Sequence, residues 1–219
     1  IMKKRALTLL LALAMCLSLC TPVMAEEVTP ERTIVYTTTA EERDAIFEAE
    51  VEKALAALSN GSAREVRYQY KSENLTDKYK IKTVGGFAGN QVQNGYRFPT
   101  GGGFYFSDVG GPTVQGSVNL GLPKPFDTVS FTVTLGTRST VSGLVVNAPN
   151  TTDYFKLYVE KEVEARPYKV YKRLPGNGNA WEFDRYGVVY VTVGVVAYAK
   201  KGRAQSKVTF SKLCQLMSL

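Results

Sequence analysis

Between Thr128 and Leu135 the chain reads T-V-S-F-T-V-T-L, with Val129, Phe131, Val133 and Leu135 alternating without a fault against Thr128, Ser130, Thr132 and Thr134. Successive side chains of a strand point to opposite faces, so this pattern makes one apolar face and one lined by hydroxyls. Every residue in it is β-branched, aromatic, Ser or Leu, and nothing in it signals a helix. It predicts a strand with one buried face, as in an antiparallel sheet, placed at the centre of the fold with the rest of the chain supplying its partners.

Those partners follow the same period. Val66, Tyr68 and Tyr70 alternate with Arg67, Gln69 and Lys71, and Tyr79–Val84 is a weaker strand marked by Ile81 and Val84. Gly85–Gly103, rich in Gly, Asn and Gln, reads as long turns. Phe104-Tyr105-Phe106, Val114–Leu120 and Val141–Val146 are short strands. In Tyr154–Ala165, Phe155, Leu157, Val159 and Val163 oppose a polar row, and Pro167 is expected to interrupt the ladder before Tyr168–Leu174. Trp181–Tyr186 is a short strand or loop. Val188–Ala199 carries valines on both faces, which predicts a strand covered on both sides.

One segment breaks the β pattern. Thr39 followed by Glu42 fits a capping box, and Phe47, Val51, Ala54, Leu55 and Leu58 then recur on one helical face until Asn60-Gly61. The spacing predicts a helix over Ala40–Ser59 that packs across the sheet. The expected class is mainly β: an antiparallel β-sandwich or open barrel, preceded by one N-terminal amphipathic α-helix.

Lys3, Lys4 and Arg5, the apolar run Ala6–Cys20 and the small residues ending at Ala25 have the three-part form of a bacterial-type secretory signal peptide. The expectation is cleavage near Ala25 and secretion, with residues 26–63 a polar lead-in and helix. Residues 64–200 form the β-domain and residues 201–219 a basic, amphipathic tail. Of the 27 basic residues three lie in the leader, leaving 24 against 20 acidic ones, a balance that gives no argument for nucleic acid. Cys16 and Cys20 leave with it, so Cys214 has no internal partner and stability must come from apolar burial and the sheet ladder.

The chain contains no histidine, which removes Ser–His–Asp and Cys–His catalysis as usually built and every His-containing zinc site. No metal or cofactor is expected. Glu182 and Asp184 share a side of an extended segment, and Glu160, Glu162 and Glu164 do so more clearly, but a carboxylate row beside lysines is ordinarily a solvated sheet face. Lys156, Tyr158, Lys161, Tyr168, Lys169, Tyr171, Lys172 and Arg173 interleave aromatic rings with cations, a composition suited to sugar rings and anionic polymers. Trp181 follows the turn Pro175–Asn179, near Tyr186. The sequence thus nominates Tyr168, Tyr171, Lys172, Trp181 and Tyr186 as ligand-binding residues. It predicts a secreted, non-catalytic binding protein for a cell-wall glycan or anionic polymer. The alternative is a membrane-active secreted protein, bacteriocin-like or pore-forming, because strands with one apolar and one polar face can line an oligomeric barrel.

Overall fold

A computed structural model describes residues 29–59, 68–176, 178 and 180–202. The leader, Asn60-Gly61, Val66 and Cys214 lie outside the described residues. The protein is mainly β, with antiparallel strands and one α-helix.

Two long strands organise it. β9 (Phe155–Arg173) and β10 (Glu182–Lys201) pair antiparallel along almost their whole length, from Lys172 opposite Glu182 to Phe155 opposite Lys201. β1 (Thr33–Thr37) adds to the outer edge of β10 at Gly194–Ala197. The far edge of β9 is shared by β2 (Gln69–Asn74), against Tyr168–Arg173, and β3 (Lys80–Phe87), against Tyr158–Ala165.

Pro167 does not interrupt this ladder. It pairs with Val188, and its carbonyl accepts the Leu75 N–H at 3.1 Å. The N and C=O of one strand residue face the same side, so the ring nitrogen points to where β2 hands over to β3, and no amide donor is required. Gly85 and Gly86 correct a second expectation, for they lie inside β3 rather than in a turn. A Cβ at Gly86 would sit 2.6 Å from Leu135 Cδ1, so glycine lets a second layer approach the strand.

That second layer covers one face of the long sheet. It comprises a three-stranded sheet of β4 (Gly103–Ser107), β7 (Thr137–Ser139) and β8 (Leu144–Asn147), and a separate two-stranded ribbon of β5 (Thr113–Asn119) and β6 (Thr128–Thr134). Phe104, Phe106 and Val146 close over Leu157, Val159, Val195 and Ala197. Phe131 closes over Val84 and Val163, and Leu120 and Leu122 over Ala165. The alternating stretch of β6 therefore buries one face as its pattern requires. It is an arm of the covering ribbon, however, and the centre belongs to β9 and β10.

Helix α1 (Ala40–Ser59) covers part of the opposite face. The Thr39 N–H donates to Glu42 Oε2 at 2.8 Å and the Glu42 N–H to Thr39 Oγ1 at 3.2 Å, the reciprocal pair of a capping box. Phe47 and Val51 are buried against Tyr168, Val170, Val189 and Val191, and Leu55 and Leu58 pack at the margin. Each such side chain contributes about 1.5–3 kcal/mol on leaving water. The valines on both faces of β10 are thereby accounted for. Val189 and Val191 lie under the helix, and Val195 lies under the three-stranded sheet.

Candidate ligand-binding face

Register decides which nominated residues meet. Lys169, Tyr171 and Arg173 of β9 point to the side of the covering strands, and Tyr168, Val170 and Lys172 point to the side of α1. Opposite Tyr171 stand Lys71 of β2 and Phe183 of β10, and opposite Lys169 stand Glu73 and Tyr186. The ribbon and the three-stranded sheet leave this end of the face bare, and Phe183 is 50% exposed.

The rings form a continuous line. Tyr171 meets Phe183 edge-on at 6.2 Å between centroids, Phe183 meets Tyr186 at 5.0 Å, and Tyr186 meets Phe126 at 5.3 Å. Trp181, half-buried, stands at the other end with two cations at its indole: Arg173 Cζ at 4.4 Å and Lys71 Nζ at 4.9 Å from the ring centroid. Lys71 also lies 5.4 Å from the Tyr171 ring. Arg173 Nε donates to Gln69 Oε1 at 2.8 Å, and among the described residues neither Arg173 nor Lys71 forms an ion pair. The rim is different. Tyr171 Oη donates to Glu73 Oε2 at 2.8 Å and Lys169 Nζ to Glu73 Oε1 at 3.1 Å. Those two hydrogen bonds hold the Glu73 carboxyl below the usual carboxylate range and raise the Tyr171 phenol and the Lys169 ammonium above theirs.

Two nominated residues fall elsewhere. Tyr168 is buried under α1, 6.1 Å from the Phe47 ring, and its ring serves the core. Lys172 faces the helix side, bound to Asp184 at 2.8 Å with the Tyr68 ring 5.4 Å away. The structure brings Tyr171, Trp181 and Tyr186 together, and adds Phe183, Phe126, Lys71 and Arg173, which sequence reasoning did not nominate. Lys71 and Arg173 carried a signal, since each alternates with a tyrosine in its own strand. Phe126 carried none, because it reaches the line from the turn between β5 and β6.

Of the five carboxylates raised by the sequence, Glu160, Glu164 and Asp184 are engaged in ion pairs. β10 bulges at Asp184, so Glu182 and Asp184 do not form an alternating pair on one straight strand. Burial acts to raise the Asp184 carboxyl, but hydrogen bonds from Lys172 and Arg185 outweigh it and hold it below its ordinary value, the wrong direction for a general acid. Glu164 is ion-paired with Arg166 at 2.8 Å, and Glu160 with Arg32. Among the described residues no three Asp, Glu or Cys side chains cluster as metal ligands. A second ring-and-cation group, Phe87, Tyr158 and Tyr198 with Lys156, Lys200 and Arg32, lies at the other end of the helix-side face, with Glu160 accepting from Tyr198 Oη at 2.9 Å. A groove of about 280 Å³ runs between α1 and β2, lined by Phe47, Val51, Leu55 and Ser72 and edged by Glu48 and Glu52. Among the described residues no helix is long and apolar enough to cross a membrane.

No protein-family model, curated protein or solved structure matches the chain.

Proposed function

We propose that the chain is a secreted bacterial binding protein without catalytic activity, whose ligand is an anionic envelope glycan held on the face of Tyr171, Trp181, Phe183 and Tyr186. The observation that carries this is the pair of cations, Lys71 and Arg173, that stand at the indole of Trp181 and form no ion pair among the described residues. A row of rings offers apolar faces to the C–H faces of sugars, and cations beside it add attraction for carboxylate or phosphate groups. Charge supplies reach and rings supply grip, so binding to such a polymer weakens with salt without vanishing. Secretion is supported by the leader pattern of residues 1–25.

The test is retention on purified bacterial cell walls across a salt series, with anionic vesicles in parallel. The protein is expected to stay on walls as salt rises, and this wall retention, unlike any vesicle binding, is expected to depend on Tyr171 and Trp181. The double variant Trp181→Ala/Tyr171→Ala should lose wall retention while keeping its far-UV circular dichroism. Unchanged retention by a folded double variant overturns the assignment.

A further inference from the structure

The ribbon β5–β6 is built unlike the long sheet that it covers. Its cross-strand pairs sort without exception into two faces: Thr113–Thr134, Gln115–Thr132, Ser117–Ser130 and Asn119–Thr128 on one, and Val114–Val133, Gly116–Phe131 and Val118–Val129 on the other. The second face is turned to the long sheet and the first to solvent. That solvent face carries hydroxyls and amides only. No charged residue occurs in Val109–Pro123 or in Thr128–Thr137, in a chain with 27 basic and 20 acidic residues. Exposed parts of the long sheet, by contrast, bear Lys, Arg and Glu, the usual guard of a soluble surface.

The ribbon is also weakly tied down. It is hydrogen-bonded to no other strand. Among the described residues, one hydrogen bond joins it to the long sheet, from Tyr190 Oη to the Ser130 carbonyl at 3.2 Å. Side-chain packing does the rest, so the ribbon can leave with its own ladder intact. Its two ends leave the body side by side through glycines of positive φ: Gly110 (+70°) and Gly111 (+91°) on one arm, Gly136 (+77°) on the other. Gly111 approaches the Gly136 carbonyl too closely for any side chain between them. The tip, Leu120–Phe126, is mostly apolar, with Leu120 and Leu122 buried.

We propose that β5–β6 is a releasable hairpin that swings out about Gly110-Gly111 and Gly136 and enters a lipid bilayer. The valine and phenylalanine face then meets acyl chains, and the hydroxyl face lines a water-filled barrel shared between copies. Thr113–Leu122 and Phe126–Leu135 give arms of ten residues. At about 3.3 Å per residue and a tilt near 45°, each spans roughly 23 Å, close to the apolar band of a membrane barrel. Lys124 then falls at the tip and Asp127 at the second residue of its arm, both at the level of the far headgroup layer. This inference is independent of the glycan reading, since the vesicles that test it carry no glycan.

The test is dye release from phosphatidylglycerol–phosphatidylcholine vesicles by a Gly86→Cys/Leu135→Cys variant of the full chain, with its native cysteines replaced by Ser. A Cβ at Gly86 lies 4.0 Å from Leu135 Cγ, the place of a cysteine sulfur at position 135, and the Leu135 substitution removes the Cδ1 that would otherwise lie 2.6 Å away, so the pair can clamp the ribbon to β3. The wild type and the reduced variant are expected to release dye, the oxidised variant to release none, and reductant to restore release. An environment-sensitive fluorophore placed singly at positions 128–133 should report lipid at 129, 131 and 133 and water at 128, 130 and 132. Absence of release by the wild type, release by the oxidised clamp, or fluorescence that does not alternate each overturns the proposal.

Discussion

The ring of Tyr168 occupies the space that a side chain at Gly187 would need. The two are cross-strand partners in β9 and β10, and a Cβ at Gly187 would lie 2.3 Å from Tyr168 Cζ. Glycine lets the phenol lie flat on the sheet, where α1 seals it and burial raises its pKa. Gly187→Ala should therefore displace Tyr168 from Phe47 and destabilise the fold by about 1–3 kcal/mol, the usual cost of overpacking. Chemical denaturation checks this, and an unchanged midpoint would mean that the ring has room to move.

Arg166 fastens α1 to the sheet. Its side chain is 4% exposed, with Nη1 2.6 Å from Asp44 Oδ1 and Nη2 2.8 Å from Glu164 Oε2, and its guanidinium stacks 4.7 Å from the Tyr79 centroid. Arg43 Nε approaches Glu164 Oε2 at 3.2 Å, near enough for charge attraction but not aligned as a hydrogen bond. Arg166→Ala leaves the Glu164 carboxylate buried beside a misaligned partner and should cost about 3–5 kcal/mol. Asp44 is mostly exposed, so Asp44→Ala should cost at most about 1 kcal/mol. Equal losses in the two denaturation curves would place the energy in the Arg166–Asp44 contact instead.

The helix was legible to the residue because both of its signals are local: the Thr39–Glu42 box fixes the start, and the spacing of Phe47, Val51 and Leu55 fixes the face. Most strands were legible as strands, since alternation needs no knowledge of partners; β1, within the residues read as a polar lead-in, and the short β7 were not. What alternation leaves open is what covers each face and which strand lies in the middle. The Thr128–Leu135 stretch has the cleanest pattern because one of its faces is solvent, which is why it is a covering arm and not the centre. Pro167 looked like a stop because its tolerance depends on β2 and β3 changing places beside it. Tyr168 and Tyr171 are an odd number of residues apart, so one unbroken strand must send them to opposite faces. That much was written in the sequence. That α1 buries the first and nothing covers the second was not.

Acid should act through Asp184. Its folded pKa lies below the ordinary value, because the Lys172 and Arg185 hydrogen bonds outweigh burial. A depressed carboxylate pKa adds stability that is present above the unfolded value, near 3.9, and is lost as pH falls through the folded one. Asp184→Asn should lower stability at neutral pH and flatten its decline below about pH 4. Denaturant midpoints at a series of pH values for both proteins check this. Parallel curves would show that other carboxylates govern the acid limb.

Trp181 is the one tryptophan in the chain, so its emission reports on the proposed binding face without a label. Titrating the protein with a polyuronate should change that emission, because an acidic polymer competes with the indole for Lys71 and Arg173. Lys71→Gln/Arg173→Gln removes two surface cations, one exposed and one half-buried, worth roughly 0.2–1 kcal/mol each, so the midpoint should rise roughly two- to thirtyfold. The salt dependence of that midpoint should shrink as well, because the lost contacts are the screened ones. Lys172→Gln, on the opposite face and engaged by Asp184, should leave the titration unchanged. A response to Lys172→Gln equal to that of the double variant would mean that net charge, and not this face, holds the polymer.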